Sequence, residues 1–122
     1  ENLKLENFSI LPGSESKLLK GLELGCSGII TATCNVTAEL ARKVYDDFIA
    51  QNDQTVNQKL CDVRSSFEKY NLISGLHTYF GKYNQSYTNV LPPLNTLNSL
   101  DENELIKNLE KLNFSIKSLM AA

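Results

Sequence analysis

Two short runs hold the residues that could do chemistry. In the first, Pro12-Gly13-Ser14-Glu15 follows the apolar stretch Phe8-Ser9-Ile10-Leu11 and precedes a helical pattern. In the second, Gly28-Ile29-Ile30-Thr31-Ala32-Thr33 leads through Cys34-Asn35 into another. In parallel α/β proteins, ligands collect where strand C-termini meet helix N-termini. Gly13 permits close backbone approach, and a helix opening at Ser14 presents unpaired N–H groups to an anion or a carbonyl oxygen. The simpler alternative is a tight turn at Gly13 and a cap at Ser14. Thr31 and Thr33 are candidate site-facing hydroxyls, although threonine is also a good strand former. No acid–base machinery accompanies them. His77, the sole histidine, lies inside a helical pattern and reads as a satisfied or surface residue. One histidine and three cysteines without ligand spacing define neither a metal site nor a nucleophile–base pair. No cofactor is implied.

The elements that must position these residues follow from periodicity. Phe8–Leu11 is predicted as a short strand stopped by Pro12-Gly13. Leu18, Leu19 and Leu22 recur at helical spacing from Ser14, and Gly25 stands where a C-terminal cap belongs. Gly28–Thr33 lacks polar alternation, as expected of a strand covered on both faces in a parallel sheet. Asn35 or Thr37 is predicted to cap the next helix, with a buried stripe of Val36, Leu40, Val44 and Phe48 and with Ala41 and Ile49 beside it. The two strands should lie adjacent and parallel, joined right-handedly by the intervening helix.

Beyond Gln51 the pattern changes. Val56, Leu60, Val63, Phe67 and Tyr70 step by four, three, four and three, the signature of a helix-on-helix seam, with Arg64 and Glu68 expected outward and nearer any subunit contact. A shorter helix is predicted through Leu72, Ile73, Leu76, Tyr79 and Phe80, where the tyrosines read as interhelical packing. Residues 84–99, with Pro92-Pro93, read as extended surface chain. Asp101-Glu102-Asn103-Glu104 has the form of a capping box opening a last helix along Leu105, Leu109, Leu112, Ile116 and Leu119. The organisation is thus an α/β segment over 1–50 and a helical extension over 51–122.

The chain has 122 residues, 42% hydrophobic and 21% charged, which allows a respectable core. A net charge of −2 gives no electrostatic footprint for nucleic acid or an anionic membrane. No apolar run approaches the ~20 residues of a membrane span. The charged N-terminus is no signal peptide, and it begins without Met and as if inside a helix, so the chain reads as a piece of something longer. Cys26, Cys34 and Cys61 read as partly buried thiols of a reducing cytoplasm. The sequons at Asn7, Asn35, Asn84 and Asn113 read as accidental.

The order Phe8-Ser9-Ile10-Leu11-Pro12-Gly13-Ser14-Glu15, then Gly25-x-x-Gly28-Ile29-Ile30, then Asn35 resembles the C-terminal part of the dihydrodipicolinate synthase/N-acetylneuraminate lyase superfamily. Leu91-Pro92-Pro93-Leu94 resembles the Arg-Pro-Pro-Leu segment before that family's last helix. The resemblance covers roughly residues 1 to 115. It implies that the two strands are the seventh and eighth of a (β/α)8 TIM barrel and that the later helices are the family's C-terminal extension. It implies a class I lyase (aldolase) that joins or cleaves pyruvate and an aldehyde through a lysine Schiff base. The lysine and a proton-shuttling tyrosine would both precede residue 1. Carried over by position, Gly13, Ser14, Glu15 and Ile30 are substrate-binding candidates: Gly13 near the substrate, Ile30 against the lysine and the pyruvyl group, and Ser14, Glu15 and Ser16 toward its variable end. A cytoplasmic homotetramer is implied for the full-length protein.

Departures from the family pattern bear on specificity. Sialic acid lyases read Gly-Tyr-Asp-Glu and Gly-Ser-Thr-Tyr-Asn, whereas Ser16 and Ala32 here lack the polyol contacts. The Asn-Pro-x-Pro-x-Lys of lysine-pathway synthases is absent around Leu72–His77, and Leu91 replaces Arg. A 2-keto-3-deoxy sugar acid aldolase, or next a dihydrodipicolinate synthase, is the expectation. The alternative from another class is a non-enzymatic helical interaction module, suggested by the seam from Val56 to Tyr70.

Overall fold

The computed structural model describes residues 6–116, so Leu119 and the first five residues lie outside the described part. The chain divides into two compact units, Glu1–Cys61 and Asp62–Ala122. Five α-helices are present among the described residues: α1 (Leu18–Glu23), α2 (Cys34–Ile49), α3 (Asn57–Glu68), α4 (Leu72–Gly81) and α5 (Ser99–Lys111).

In the first unit, the two predicted strands are segments without regular secondary structure and form no strand among the described residues. Ser27 N–H donates to Ile10 O (2.9 Å) and Ile30 N–H to Pro12 O (3.2 Å), so the segments run in the same direction. The ladder stops there for local reasons. Pro12 has no N–H to return, Gly28 sits at φ +151°, and Thr33 is already helical at φ −70°, ψ −16°. Nor is Gly28–Thr33 covered on both faces: Ile29 is half-buried and Ile30 is 74% exposed. The predicted sheet is therefore corrected to a two-bond parallel contact.

The helix predicted from Ser14 begins as a 3-10 turn, Glu15–Lys17, and continues as α1. Gly25, at φ +89°, ends it as expected: Cys26 N–H reaches Gly21 O (2.8 Å) and Gly25 N–H reaches Leu22 O (3.0 Å), a Schellman closure. Leu18, Leu22, Val44 and Leu60 form the core, flanked by Leu19, Ile29, Leu40, Ala41, Tyr45, Phe48 and Val56. Ile49, placed beside the buried stripe by periodicity, is exposed instead. Neither Asn35 nor Thr37 caps α2, which starts one residue earlier. Thr31 Oγ1 accepts from Cys34 N–H (3.1 Å), while Asn35 and Thr37 lie inside the first turn.

α2 ends by the same closure as α1, on a residue poorly suited to it. Gln51 stands at φ +58°, with Gln51 N–H on Phe48 O (3.1 Å) and Asn52 N–H on Asp47 O (2.8 Å). A side chain strains this left-handed position, whereas glycine does not. Gln51→Gly should therefore stabilise the protein by about 0.5–1 kcal/mol in urea unfolding. A lowered midpoint would show that the Gln51 side chain compensates the strain.

In the second unit, Val63, Phe67, Leu76, Tyr79, Leu105, Leu109 and Ile116 are buried. The middle of the predicted seam is enclosed as expected, with Leu60, Val63 and Phe67 all at 0% exposure. Arg64 is not outward: it is buried and its Nε donates to Glu68 Oε1 (2.7 Å), the carboxylate lying at the surface. Burying the guanidinium stem while pairing its head is how a long charged side chain joins an apolar face.

Asn71 Oδ1 accepts from Ser74 N–H (3.1 Å) and caps α4. Tyr79 packs edge-on against Phe67 (centroids 5.8 Å) and Tyr83 (5.6 Å), the packing role expected of the tyrosines. Residues 84–98 are mostly surface chain but include a 3-10 turn, Gln85–Thr88. There is no room for a side chain at Gly81, where a Cβ would stand 2.8 Å from Thr88 Cγ2. Thr88 Oγ1 in turn donates to Gln85 O (2.8 Å). The last helix opens at Ser99, not Asp101. Asn98 is the cap, accepting from Asp101 N–H (2.9 Å) and donating through Nδ2 to Asp101 Oδ2 (2.8 Å). Ile116 is buried beyond the end of α5 rather than on it.

Candidate functional site

The two extended segments bring the residues singled out by the sequence to one end of the first unit. Gly13 and Ile30 are neighbours: a Cβ built on Gly13 would lie 3.9 Å from Ile30 O. Gly13 is exposed, and Ile30 presents its apolar side chain to solvent. Ser14, half-buried, precedes the 3-10 turn with extended backbone (φ −153°, ψ 140°), and its hydroxyl meets that of Ser16 (2.9 Å) rather than a helix N–H.

Glu15 is placed differently. It is fully buried. Three hydroxyls converge on its Oε1: Thr31 (2.7 Å), Thr37 (2.8 Å) and Thr33, the last in a very short contact. A carboxylate can only accept, so the hydroxyls donate to it, and the single Thr37 proton is shared with Thr33 O at 3.0 Å. The Thr31 and Thr33 protons both point at Glu15. Their own 3.2 Å approach is then a contact of two acceptors. The Thr31 lone pairs are left facing Cys34 N–H at the start of α2. The candidate site-facing hydroxyls are thus turned inward onto a buried anion.

Burial pushes the Glu15 carboxyl pKa up, but hydrogen bonds from Thr33, Thr31, its own backbone and Thr37 outweigh it and hold the group below the ordinary carboxylate range. A depressed folded-state pKa contributes stability that is present above the unfolded value and lost as pH falls through the folded one. The cluster therefore stays charged at neutral pH and loosens only in acid.

Nothing in the local sequence flagged this interior role, because a glutamate in a first helical turn ordinarily faces water. The available signal was the threonine spacing. Thr33 and Thr37, four apart at the start of a helix, share one of its faces, and Thr31 precedes them by one short turn.

Elsewhere the inventory is plain. His77 Nδ1 pairs with Tyr87 O (2.6 Å), a satisfied half-buried histidine. Cys26, Cys34 and Cys61 carry half-buried thiols. No group of three or more His, Cys, Asp or Glu able to hold a metal ion occurs among the described residues. No helix among them is long and apolar enough to cross a membrane.

Two segments leading into helices thus meet where Gly13 lies beside Ile30. Residues 2–112 match the dihydrodipicolinate synthetase family. The chain belongs to that family. Two similar proteins, from two strains of Halobacterium salinarum, are each named as an uncharacterized DapA-like lyase. Each is 27% identical to this chain over 77 residues, which cover 61% of this chain and 25% of the relative. The matched stretch thus spans about a quarter of the relatives' length.

Proposed function

We propose that this chain forms the end of a (β/α)8 barrel in a class I lyase that cleaves or condenses pyruvate with an aldehyde through a lysine Schiff base. The observation that carries the reading is the parallel run of residues 10–12 beside 27–30, with Ile30 exposed next to Gly13 at its end. Phe8, Ile10 and Leu11 are also exposed large apolar side chains, which suits segments that further barrel strands would cover. In this reading Gly13 admits the substrate close to the backbone. Ile30 supplies an apolar wall that desolvates the lysine and lowers its pKa, keeping a free amine available for carbonyl attack. In this reading the lysine is supplied by another strand of the barrel. The missing polyol contacts at Ser16 and Ala32 favour a 2-keto-3-deoxy sugar acid over a sialic acid.

Borohydride reduction of the full-length protein with pyruvate tests this directly. A single pyruvate-derived adduct on one lysine is expected, with none on the isolated 122-residue chain. A full-length protein that cleaves its substrate but traps no adduct would refute the Schiff-base mechanism.

A further inference from the structure

Three threonine hydroxyls from one end of the second segment and the first turn of α2 grip a carboxylate from the other side of the rim. Glu15 follows Gly13 by two residues, and Thr31 follows Ile30 by one. The buried cluster therefore ties together the two backbone stretches that carry the proposed substrate wall. We infer that Glu15 is a positioning residue, which sets Ile30 against the pyruvyl pocket through Thr31, Thr33 and Thr37, and is not a contact for the aldehyde end of the substrate. The inference rests on the function proposed above, and it departs from the positional carry-over, which would place residue 15 against the substrate's variable end.

Its physical basis is burial and donor geometry. A side chain with no exposed surface, whose Oε1 accepts three hydroxyls, is committed to the protein interior. Exchanging the carboxylate for a neutral amide keeps one oxygen for the three hydroxyls but makes it a weaker, uncharged acceptor, and it sets an NH2 donor in place of the second oxygen. The three hydroxyls are then held less tightly, and any rotation of Thr31 disturbs its contact with Cys34 N–H. The rim backbone should shift by a fraction of an ångström, a scale at which reacting geometry is sensitive.

The test compares Glu15→Gln with wild type in the full-length protein, by pyruvate trapping and by steady-state kinetics in both substrates. The expected result is a loss of about 10–100-fold in the rate of pyruvate adduct formation. The KM for the aldehyde, measured on enzyme saturated with pyruvate, should stay within about twofold. Thr37→Val removes one donor from within α2, away from the rim, and should act in the same direction with a smaller effect, so the test survives if Glu15→Gln fails to fold. The double variant should be no slower than Glu15→Gln alone, because both act through one cluster.

A selective rise in aldehyde KM with normal trapping would make Glu15 a substrate contact and overturn the inference. Fewer competent sites with an unchanged rate per site would leave it a purely structural residue, also overturning it. If wild type itself traps no pyruvate, the proposed chemistry fails first and the inference with it. Trapping by wild type with unaffected variants defeats the inference alone.

Discussion

Phe67→Ala is expected to lower stability by about 3–5 kcal/mol, the largest single loss available in the second unit. Phe67 has no exposed surface and meets the Tyr79 ring edge-on at 5.8 Å. Its other neighbour is what makes the site unforgiving. Gly75 lies directly against it, close enough that a Cβ there would stand 3.4 Å from Phe67 Cδ1. A glycine has no side chain with which to fill the space a missing ring leaves. The cavity should therefore persist, and cavity persistence is what separates the costly from the mild truncations. Urea or thermal unfolding reads the effect. A loss below about 1 kcal/mol would mean that the core collapses around the gap after all.

On the proposed chemistry, Ile30→Asp should be the most damaging change to activity. Ile30 is 74% exposed, so a carboxylate there displaces no core packing within this chain. Beside the Schiff-base lysine, however, the new negative charge favours the ammonium form, with a shift of about 1–3 pKa units at close range. The amine available near neutral pH would fall about 10–1,000-fold, and activity should partly return in more alkaline buffer. The pH–rate profile is the decisive measurement. An unchanged profile in a folded variant would put residue 30 away from the lysine and remove the main support for the proposed wall.

Legibility in the sequence followed local chemistry. Gly25 declared its helix end because glycine is the usual occupant of a left-handed cap, and the Schellman closure is there. Gln51 and Asn113, at φ +58° and +48°, adopt the same kind of backbone without a glycine to announce it. The stripe from Leu18 to Leu22 and the seam through Phe67 were readable because burial repeats with the helical period. The extended segments were readable as extended and as parallel, but not in length. Periodicity is blind to the missing N–H of Pro12 and to a helix that already begins at Cys34. The site divided the same way. Gly13 was singled out by its place at a segment end and Ile30 by the family resemblance, and the structure sets them side by side. Glu15 is legible only once three threonines, scattered over seven residues, are seen to share its oxygen. A residue's burial is a property of the fold around it, and residue type alone misreads a charged one.

The 2.8 Å approach at Gly81 bears on how this chain can change over generations. Thr88 is β-branched and its hydroxyl is held by Gln85 O, so its methyl cannot swing aside to admit a new one. Serine at position 88 would keep the hydroxyl and surrender the methyl. The two positions therefore admit an order of events: the methyl at 88 must go before one at 81 can arrive, and the reverse order passes through a clash.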